Sequence, residues 1–386
     1  MPVRGGAPAG QPVIYDLVVV GASFAGLACA RAAALGGSRV LVIDKKPGAG
    51  ARLHTTGMIV KDAVDTIPWL RDVPSELVRR IEGVRLYAPN LRHVDLHAPG
   101  YYFWATDVPR LMQWMVGIVQ AAGAEVRYGA LFTSVRRERE HDPWSVVLGT
   151  GETVLCHYIV GADGPHSRVA KALGLSQNRQ FLFGVEHEYA QADLEPNYLH
   201  CFLDSQLAPG YIGWGFAGVG VTQIGLARRV NPGSRQGRVD LAAFLRKTEG
   251  RVTPRGAPTS IRAGMIPCGG RLPVVARARA LLVGDAAGLV SPATAGGIHA
   301  ALRYGEEAGE AVARFIAGKV ADPAGWLPRQ YPRFRIKRVV RAVFEWTQGD
   351  WTYNLLLRTR AMRRIGERVY FHSKGTPALR SGAGQG

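Results

Sequence analysis

The sequence predicts an α/β fold with α+β insertions, and three observations carry the prediction. The chain opens as an apolar run, a glycine-punctuated turn and a small-residue helix, which is a βαβ pattern; strands of the same buried kind return near residues 158 and 280; and the stretches between them are alternating and aromatic. One α/β domain is therefore assembled from distant segments. A second, antiparallel domain is built from the insertions, and a helical region closes the chain.

The elements follow in order. "YDLVVVG" reads as a buried parallel strand, "FAGLACARAAALG" as a helix closed by Gly36-Gly37, and "RVLVID" as a second parallel strand. From Arg85 to Trp104 the pattern is strand-like and aromatic. "TDVPRLMQWMVGIVQAAG" has helical periodicity, with Thr106 or Asp107 as N-cap and Gly123 as its stop. "AEVRYGA", "WSVVLG" and "HYIVGADG" are strands, the last leading into the short helix "SRVAKALG". Residues 183–230 form a meander, "RVDLAAFLRKTEG" is helical, and the chain beyond Pro328 is helical, basic and aromatic. The Rossmann-like domain then comprises 14–60, 105–175 and 272–320. The antiparallel-sheet domain comprises 61–104 and 176–271, the basic helical region is 321–374, and the Gly/Pro/Ala-rich ends 1–12 and 375–386 read as flexible.

Composition narrows the function. With 386 residues, 47% hydrophobic and 20% charged, the chain is globular, and no internal repeat is visible. A net charge of +18 draws it to polyanions, to an anionic membrane face or to a phosphorylated substrate. Residues 328–380 carry 13 Arg or Lys against three acids, interleaved with Phe344, Trp346, Trp351 and Tyr353. That mixture suits a helix lying on an anionic bilayer, or a solvated surface with an apolar packing face. No recognition module accompanies the charge, so nucleic acid is not the expected partner. The four cysteines lie far apart with no CxxC pair, which speaks against a zinc site or disulfide framework and suits a reducing, cytoplasmic compartment. "VIYDLVVVGASFAGLACA" imitates a signal peptide, but Asp16 interrupts it and it is short for a span. The expected location is cytoplasmic, with a peripheral position on the inner membrane face as the extension of the charge argument.

The first βα turn, Gly21-Ala22-Ser23-Phe24-Ala25-Gly26, is a dinucleotide fingerprint with Ser at the middle glycine. Gly21 permits the tight turn, Gly26 brings helix close to strand, and the helix N-terminus offers N–H groups to a pyrophosphate. Asp44, 23 residues after Gly21, ends the second strand where a ribose-binding acid is expected, and Lys45 follows it. The fingerprint alone does not separate NAD from FAD. Two later segments do.

"YIVGADGPHSRVAKALG", with Asp163-Gly164, is similar to the strand–Asp-Gly–helix segment of aromatic-hydroxylase-type flavoproteins. "VGDAAGLVSPATAGGIHAA" resembles their Gly-Asp segment, in which the acid holds FAD ribityl hydroxyls. The resemblance assigns Gly284, Asp285, Ala287, Gly296, Gly297 and Ile298 to the cofactor, with the small residues making room for a flavin. Within that superfamily the chain resembles the geranylgeranyl reductase family, at "GASFAGLACA", "TDVPRLMQWMVGIVQAAGAEV", "GADGPHSRVAKALG", "IPCGG" and "GDAAGLVSPATAGGI". The family implies a p-hydroxybenzoate-hydroxylase-like fold, FAD, and saturation of isoprenoid C=C bonds. "APGYIGWGFAG" echoes the family's tunnel-lining segment, with one residue inserted between Tyr211 and Trp214 and with Ala217 in place of a Pro. The resemblance makes Tyr211, Trp214 and Phe216 substrate-lining, the first two also catalytic. At spacing two, Trp214 and Phe216 share a sheet face.

Where many members have Pro-Cys-Gly-Gly, this chain has Leu53-His54-Thr55-Thr56-Gly57. His54 is then either the proton donor or a polar loop residue, and Arg52 is a candidate for the FAD pyrophosphate. Tyr102 and Trp104, in "YYFWATD", are candidates to line an apolar chamber against residues 211–216 or to be plain core. With no second nucleotide fold, NAD(P)H would visit transiently or an electron-carrier protein would reduce the flavin. Three readings follow, in this order: an FAD-dependent reductase of isoprenoid or similar apolar C=C bonds, a flavin monooxygenase or halogenase acting on an aromatic small molecule, and a non-catalytic basic flavin-bound adaptor. The Trp-x-Trp-x-Ile-Pro segment of halogenases is absent. Reoxidation of the reduced protein by alkene or by O₂ separates the first two, and absence of flavin turnover marks the third.

Overall fold

The computed structural model describes residues 13–230, 239–346, 349–357 and 359–371. The described residues fall into two compact units, within Met1–Leu53, Val108–Phe181 and Ile266–Arg338 for the first and His54–Asp107, Leu182–Met265 and Val339–Gly386 for the second. Both chain ends read as flexible above, together with Arg358, Lys374 and Arg380 of the basic region, lie outside the described residues.

Eight strands make one sheet in the first unit. Ala280–Leu282, Thr153–Gly161, Ile14–Val20, Val40–Asp44 and Glu125–Tyr128 lie side by side and parallel. Ala276–Arg277 pairs antiparallel at one edge, and Trp144–Leu148 joins antiparallel to the first half of Thr153–Gly161, carrying Phe132–Arg136 with it. Leu17 to Val19 and Leu41 to Ile43 are fully buried, as uninterrupted apolar runs must be when both faces of a parallel sheet are covered.

Two helices of this unit meet backbone to backbone. Helix Phe24–Leu35 is half Ala, and helix Ile298–Ile316 lies across it. A Cβ on Gly305 would sit 2.3 Å from the Ala25 carbonyl oxygen, and one on Gly309 2.1 Å from that of Cys29. Gly284, at φ +58°, is bare for a related reason, since its Cβ would sit 2.8 Å from that of Ala25. Gly288 would collide with the Gly270 carbonyl at 2.4 Å. At positions 284 and 288 the small residues make room for the chain's own atoms, the Ala25 methyl and the Gly270 carbonyl.

In the second unit, seven strands run in the order Ser260–Pro267, Phe181–Tyr189, Thr222–Val230, Gly213–Ala217, Tyr198–Phe202, Gly83–Tyr87, His93–His97. A separate antiparallel sheet joins Met58–Val60, Phe103–Thr106 and Val78–Ile81. Strand Gly213–Ala217 shows how alternation divides the faces. Cβ atoms on Gly213 and Gly215 would meet Phe244 at 2.4 Å and Val252 at 3.1 Å, while Trp214 and Phe216 point the other way into one core with Tyr101 and Phe103. Phe244 reaches its place on helix Leu241–Lys247, which Asp240 caps through the Ala243 N–H.

The C-terminal helices Asp350–Leu356 and Arg360–Phe371 belong to this second unit rather than forming a region of their own. Tyr353, Leu357 and Phe371 complete the Trp214 core, and Asp350 Oδ1 accepts the Ser205 N–H and O–H at 3.1 and 2.7 Å. Residues 54–60 and 105–107 also lie here, because Met58–Val60 pairs with Phe103–Thr106. The four cysteines are buried and unbridged, and burial pushes the Cys29, Cys156 and Cys201 thiols up to about 12.

The helix contact makes a direct test. Gly309→Ala forces a methyl group against a backbone carbonyl, so it should destabilise the protein by about 1–3 kcal/mol, read as a lower urea midpoint at unchanged slope. An unchanged midpoint would mean that the two helices separate freely.

Candidate functional site

Four adjacent parallel strands of the first unit present their carboxyl ends together, and each ends in a predicted site residue. Ala280–Leu282 runs into Gly284-Asp285, Thr153–Gly161 into Asp163-Gly164, Ile14–Val20 into Gly21 and the fingerprint, and Val40–Asp44 stops on its acid. The carboxyl edge of an open parallel sheet is where such folds bind ligands. Gly21, at φ +111°, is held so tightly that a Cβ would lie 2.3 Å from the Ala162 carbonyl oxygen, and one on Gly26 would lie 1.8 Å from that of Gly21. First turn, helix and Asp163 segment are therefore in mutual backbone contact.

The N-terminus of helix Phe24–Leu35 has Ser23 at its cap, yet no side chain caps it. The N–H groups around Phe24, Ala25 and Gly26 thus lack an internal partner, as at any helix start, and the dipole adds positive potential. Asp44 is buried; its Oδ2 accepts the Ala22 N–H at 2.7 Å and its Oδ1 the Lys46 N–H at 2.8 Å. Each oxygen keeps a second lone pair for a ribose hydroxyl. Lys45 is exposed beside it, and Arg52 is exposed with a left-handed φ of +47°.

The two remaining acids behave differently. Asp163 faces helix Arg168–Ala172, accepting from Ser167 Oγ at 2.5 Å and from the Arg168 and Val169 N–H groups at 2.6 and 3.1 Å. Burial raises its pKa and these donors pull it back. Its observed partners are this helix cap, with Gly164 turning behind it at φ +86°. Asp285 has no hydrogen-bond or ion-pair partner for its carboxylate among the described residues, and burial alone pushes it up to about 6. Its Oδ1 lies 3.4 Å from where a Gly297 Cβ would be. A part-buried carboxylate left without donors is a poor structural device and a good acceptor for the hydroxyls of a polyol. With the open helix N-terminus and Asp44, it fits FAD: residues 23–26 could hold the pyrophosphate, Asp44 a ribose and Asp285 the ribityl chain.

Around Asp285 the loop is fixed by protein contacts. Ala287 is fully buried, its carbonyl bonded by the Leu272 N–H. Gly296 and Gly297 lead into helix Ile298–Ile316, with Gly297 at the cap and no side chain capping it. Asn178, which the sequence reading passed over, donates Nδ2 hydrogens to the carbonyls of Asp285 at 2.9 Å and Pro165 at 3.1 Å, tying two site loops together. Nothing in "GLSQNRQ" signals that role.

In the second unit, Trp214 and Phe216 share a face and are buried, with Tyr211 packed against the same core. Tyr102 and Trp104 do not join them. Strand parity sends Tyr101 and Phe103 into that core, while Tyr102 and Trp104 lie 6.2 Å apart on the other face, where Arg80 stacks 4.3 Å over Tyr102. The expectation that this pair lines a chamber against residues 211–216 is corrected accordingly. His54 is exposed, and its Nδ1 donates to the Ala263 carbonyl at 2.7 Å, which leaves Nε2 as the nitrogen able to face a substrate. Glu186, Glu188 and Arg262, also missed, are buried on the inward face of the larger sheet. Two acids at alternate positions of "FGVEHEYA" were their sequence signal.

Comparison with known proteins identifies the family. The family model of the FAD binding domain matches residues 15–343. A digeranylgeranylglycerophospholipid reductase of Methanothermobacter thermautotrophicus is 30% identical over 335 residues, 84% of each chain. A menaquinone reductase of Mycobacterium tuberculosis is 28% identical over 323 residues, 76% of each chain. Among solved structures, a geranylgeranyl bacteriochlorophyll reductase-like protein of Thermoplasma acidophilum superposes with a TM-score of 0.80 at 18% identity, over 94% of this chain and 98% of the other, which shows a shared fold.

Asp285 should give two effects of opposite sign. A carboxyl that takes up a proton more readily in the folded than in the unfolded chain makes the folded state lose ground as pH rises from about 4 to about 6. Asp285→Asn in the FAD-free protein should therefore be more stable than the parent at pH 7 and no more stable below pH 4, measured by urea unfolding. The same change should weaken FAD binding by about tenfold or more, measured by flavin fluorescence. Equal stability at both pH values together with full flavin retention would remove Asp285 from the site.

Proposed function

Since the chain belongs to the FAD binding domain family, and within it to the geranylgeranyl reductases, we propose that it reduces carbon–carbon double bonds of an isoprenoid lipid. The observation that carries this reading is the 30% identity, over 84% of both chains, to a reductase named for a geranylgeranylated phospholipid. FAD, once reduced, supplies hydride for such a bond. The chain's residues would do the rest: the 23–26 turn, Asp44 and Asp285 would hold the cofactor, and Tyr211, packed on the core of Trp214 and Phe216, would line the place of the tail. His54, through Nε2 in its protonated form, is the candidate to deliver the proton to the second carbon. NAD(P)H or an electron-carrier protein would be the reductant.

The proposal extends to where the lipid is met. On helix Arg335–Trp346, Ile336, Val339, Val343 and Trp346 recur at helical spacing and are 79, 63, 54 and 87% exposed, whereas Arg341 is buried and paired with Glu345 at 2.6 Å. The apolar stripe faces out and a charge faces in. Such a face, with the exposed Arg335 and Arg338 on the same helix and Arg360, Arg363 and Arg364 further along the chain, suits the boundary of an anionic bilayer. Among the described residues no helix is long and apolar enough to cross a membrane.

Two measurements test the reading. Protein reduced without oxygen should be reoxidised by a geranylgeranylated lipid, yielding the saturated chain, and Trp214→Ala should slow this while keeping its FAD. Reoxidation by O₂ alone, with hydroxylated product, would favour the monooxygenase instead. Reversing Arg360, Arg363 and Arg364 to Glu should weaken binding to phosphatidylserine vesicles by up to about 1 kcal/mol per residue. Unchanged vesicle binding would detach the basic helices from any membrane role.

A further inference from the structure

Strand Phe181–Tyr189 turns Leu182, Gly184, Glu186 and Glu188 inward, so two carboxylates stand on a face that alternation reserves for apolar side chains. Arg262, on the neighbouring strand Ser260–Pro267, meets both. Its Nη2 is 2.5 Å from Glu188 Oε1 and its Nη1 is 3.7 Å from Glu186 Oε1, and all three residues are at most 8% exposed.

The cluster reaches outward in two directions. Toward the edge of the sheet, Arg262 Nη1 donates to the Thr55 carbonyl at 3.2 Å, and the next residue, Ala263, accepts from His54. Gly264 leaves room for His54, since a Cβ there would lie 2.9 Å from the histidine Cβ. Toward the middle of the sheet, Glu186 Oε2 accepts the Trp214 indole N–H at 2.8 Å, and Gln223 Nε2 donates to Glu188 Oε1 at 3.4 Å. Gly225 clears space for the indole, because its Cβ would lie 2.2 Å from the ring. Glu186 Oε1 and Gln223 Oε1 are buried without a hydrogen bond.

A sheet that needed only stability would bury apolar side chains here, because desolvated charges rarely return what their burial costs. This network instead connects the His54–Thr55 segment to Trp214 through side chains of three adjacent strands and the strand that carries Trp214. We propose that Arg262, clamped between Glu186 and Glu188, is a positioning residue that holds the His54–Thr55 segment and the Trp214 indole in one fixed arrangement for turnover. The assignment rests on the reductase reading for its catalytic meaning and on the network alone for its positioning claim.

Two carboxylates facing one guanidinium leave a negative charge over, and Glu186 is where it is relieved. Burial pushes Glu186 up to about 7 and repulsion from Glu188 adds to this, while the Trp214 N–H and Arg262 pull it down. The groups facing it are Arg262 from Ser260–Pro267, Glu188 from its own strand, the Trp214 indole, and the Gln223 amide from Thr222–Val230. Alternation turns His187 to the opposite face.

The test uses the FAD-loaded full chain. Arg262→Lys keeps the charge but cannot span Thr55 and both acids, so kcat should fall by about tenfold to a hundredfold with KM and FAD content near the parent's. Amide hydrogen exchange over residues 54–57 should accelerate in the same variant. Glu186→Gln keeps shape and an acceptor for Trp214 but does not titrate, so the shift of the Trp214 indole N–H NMR signal that the parent shows near pH 7 should vanish. Normal kcat with normal exchange in Arg262→Lys, or a Trp214 signal in Glu186→Gln that still shifts near pH 7, would overturn the proposal. Should Arg262→Lys fail to fold, the Glu186→Gln titration decides. A parent protein inert toward every isoprenoid lipid would sink the reductase reading, and exchange at 54–57 would still decide whether Arg262 positions that segment.

Discussion

The first unit depends on one close approach, that of helix Ile298–Ile316 to helix Phe24–Leu35. Gly305 and Gly309 let the helices touch at the carbonyls of Ala25 and Cys29. Because Ala25 lies in the first turn of its helix, the same contact that buries the helices also fixes the open N-terminus relative to Gly284, whose own bareness is set by Ala25. The N–H groups proposed for the pyrophosphate and the carboxylate proposed for the ribityl chain are thereby held at a separation dictated by glycine, with only the Ala25 methyl between. Side chains of ordinary size on either helix would move the two halves of the proposed cofactor site apart.

Much of this candidate site was legible in the sequence, because it is made of backbone. A tight turn needs Gly21, a close helix needs Gly26, and a strand ending in an acid shows itself as Asp44; such requirements leave residue types at fixed spacings. What stayed hidden depends on side chains meeting across long separations. Asn178 links Pro165 to Asp285 from a stretch with no pattern. Aromatic content says nothing about strand parity, so the sequence left Tyr102 and Trp104 between chamber lining and core, and it was their neighbours Tyr101 and Phe103 that faced the core. The Glu186–Arg262–Glu188 cluster left a trace, two acids on an alternating strand, but its partner is some 75 residues away. The basic C-terminal stretch was legible as amphipathic helices. That Tyr353, Leu357 and Phe371 anchor it to the second unit's core was not.

The units divide the chemistry in kind. The first would bind its cofactor by geometry of the main chain and leaves one carboxylate, Asp285, without a partner among the described residues. The second buries charged side chains that partner one another almost completely, with two acceptors left over on the same sheet face. A site for an invariant cofactor can be specified by backbone, which tolerates little variation. A face that must suit one apolar substrate among many is adjusted more readily through side chains.

The order of strands in the first unit has a consequence for how the chain is made. Its parallel sheet sets Ile14–Val20 beside Thr153–Gly161, and that strand beside Ala280–Leu282, so neighbours in space are synthesised well over a hundred residues apart. Helix Phe24–Leu35 has no Gly305 to rest on until Ile298–Ile316 has left the ribosome. For most of translation, therefore, the apolar strands "LVVV" and "VLVI" have no complete sheet to join. Non-local parallel pairing of this kind is slow to close and exposes aggregation-prone surface while it waits. The architecture that joins distant strands in the finished molecule thus leaves apolar strands exposed in the nascent chain until its last third is made.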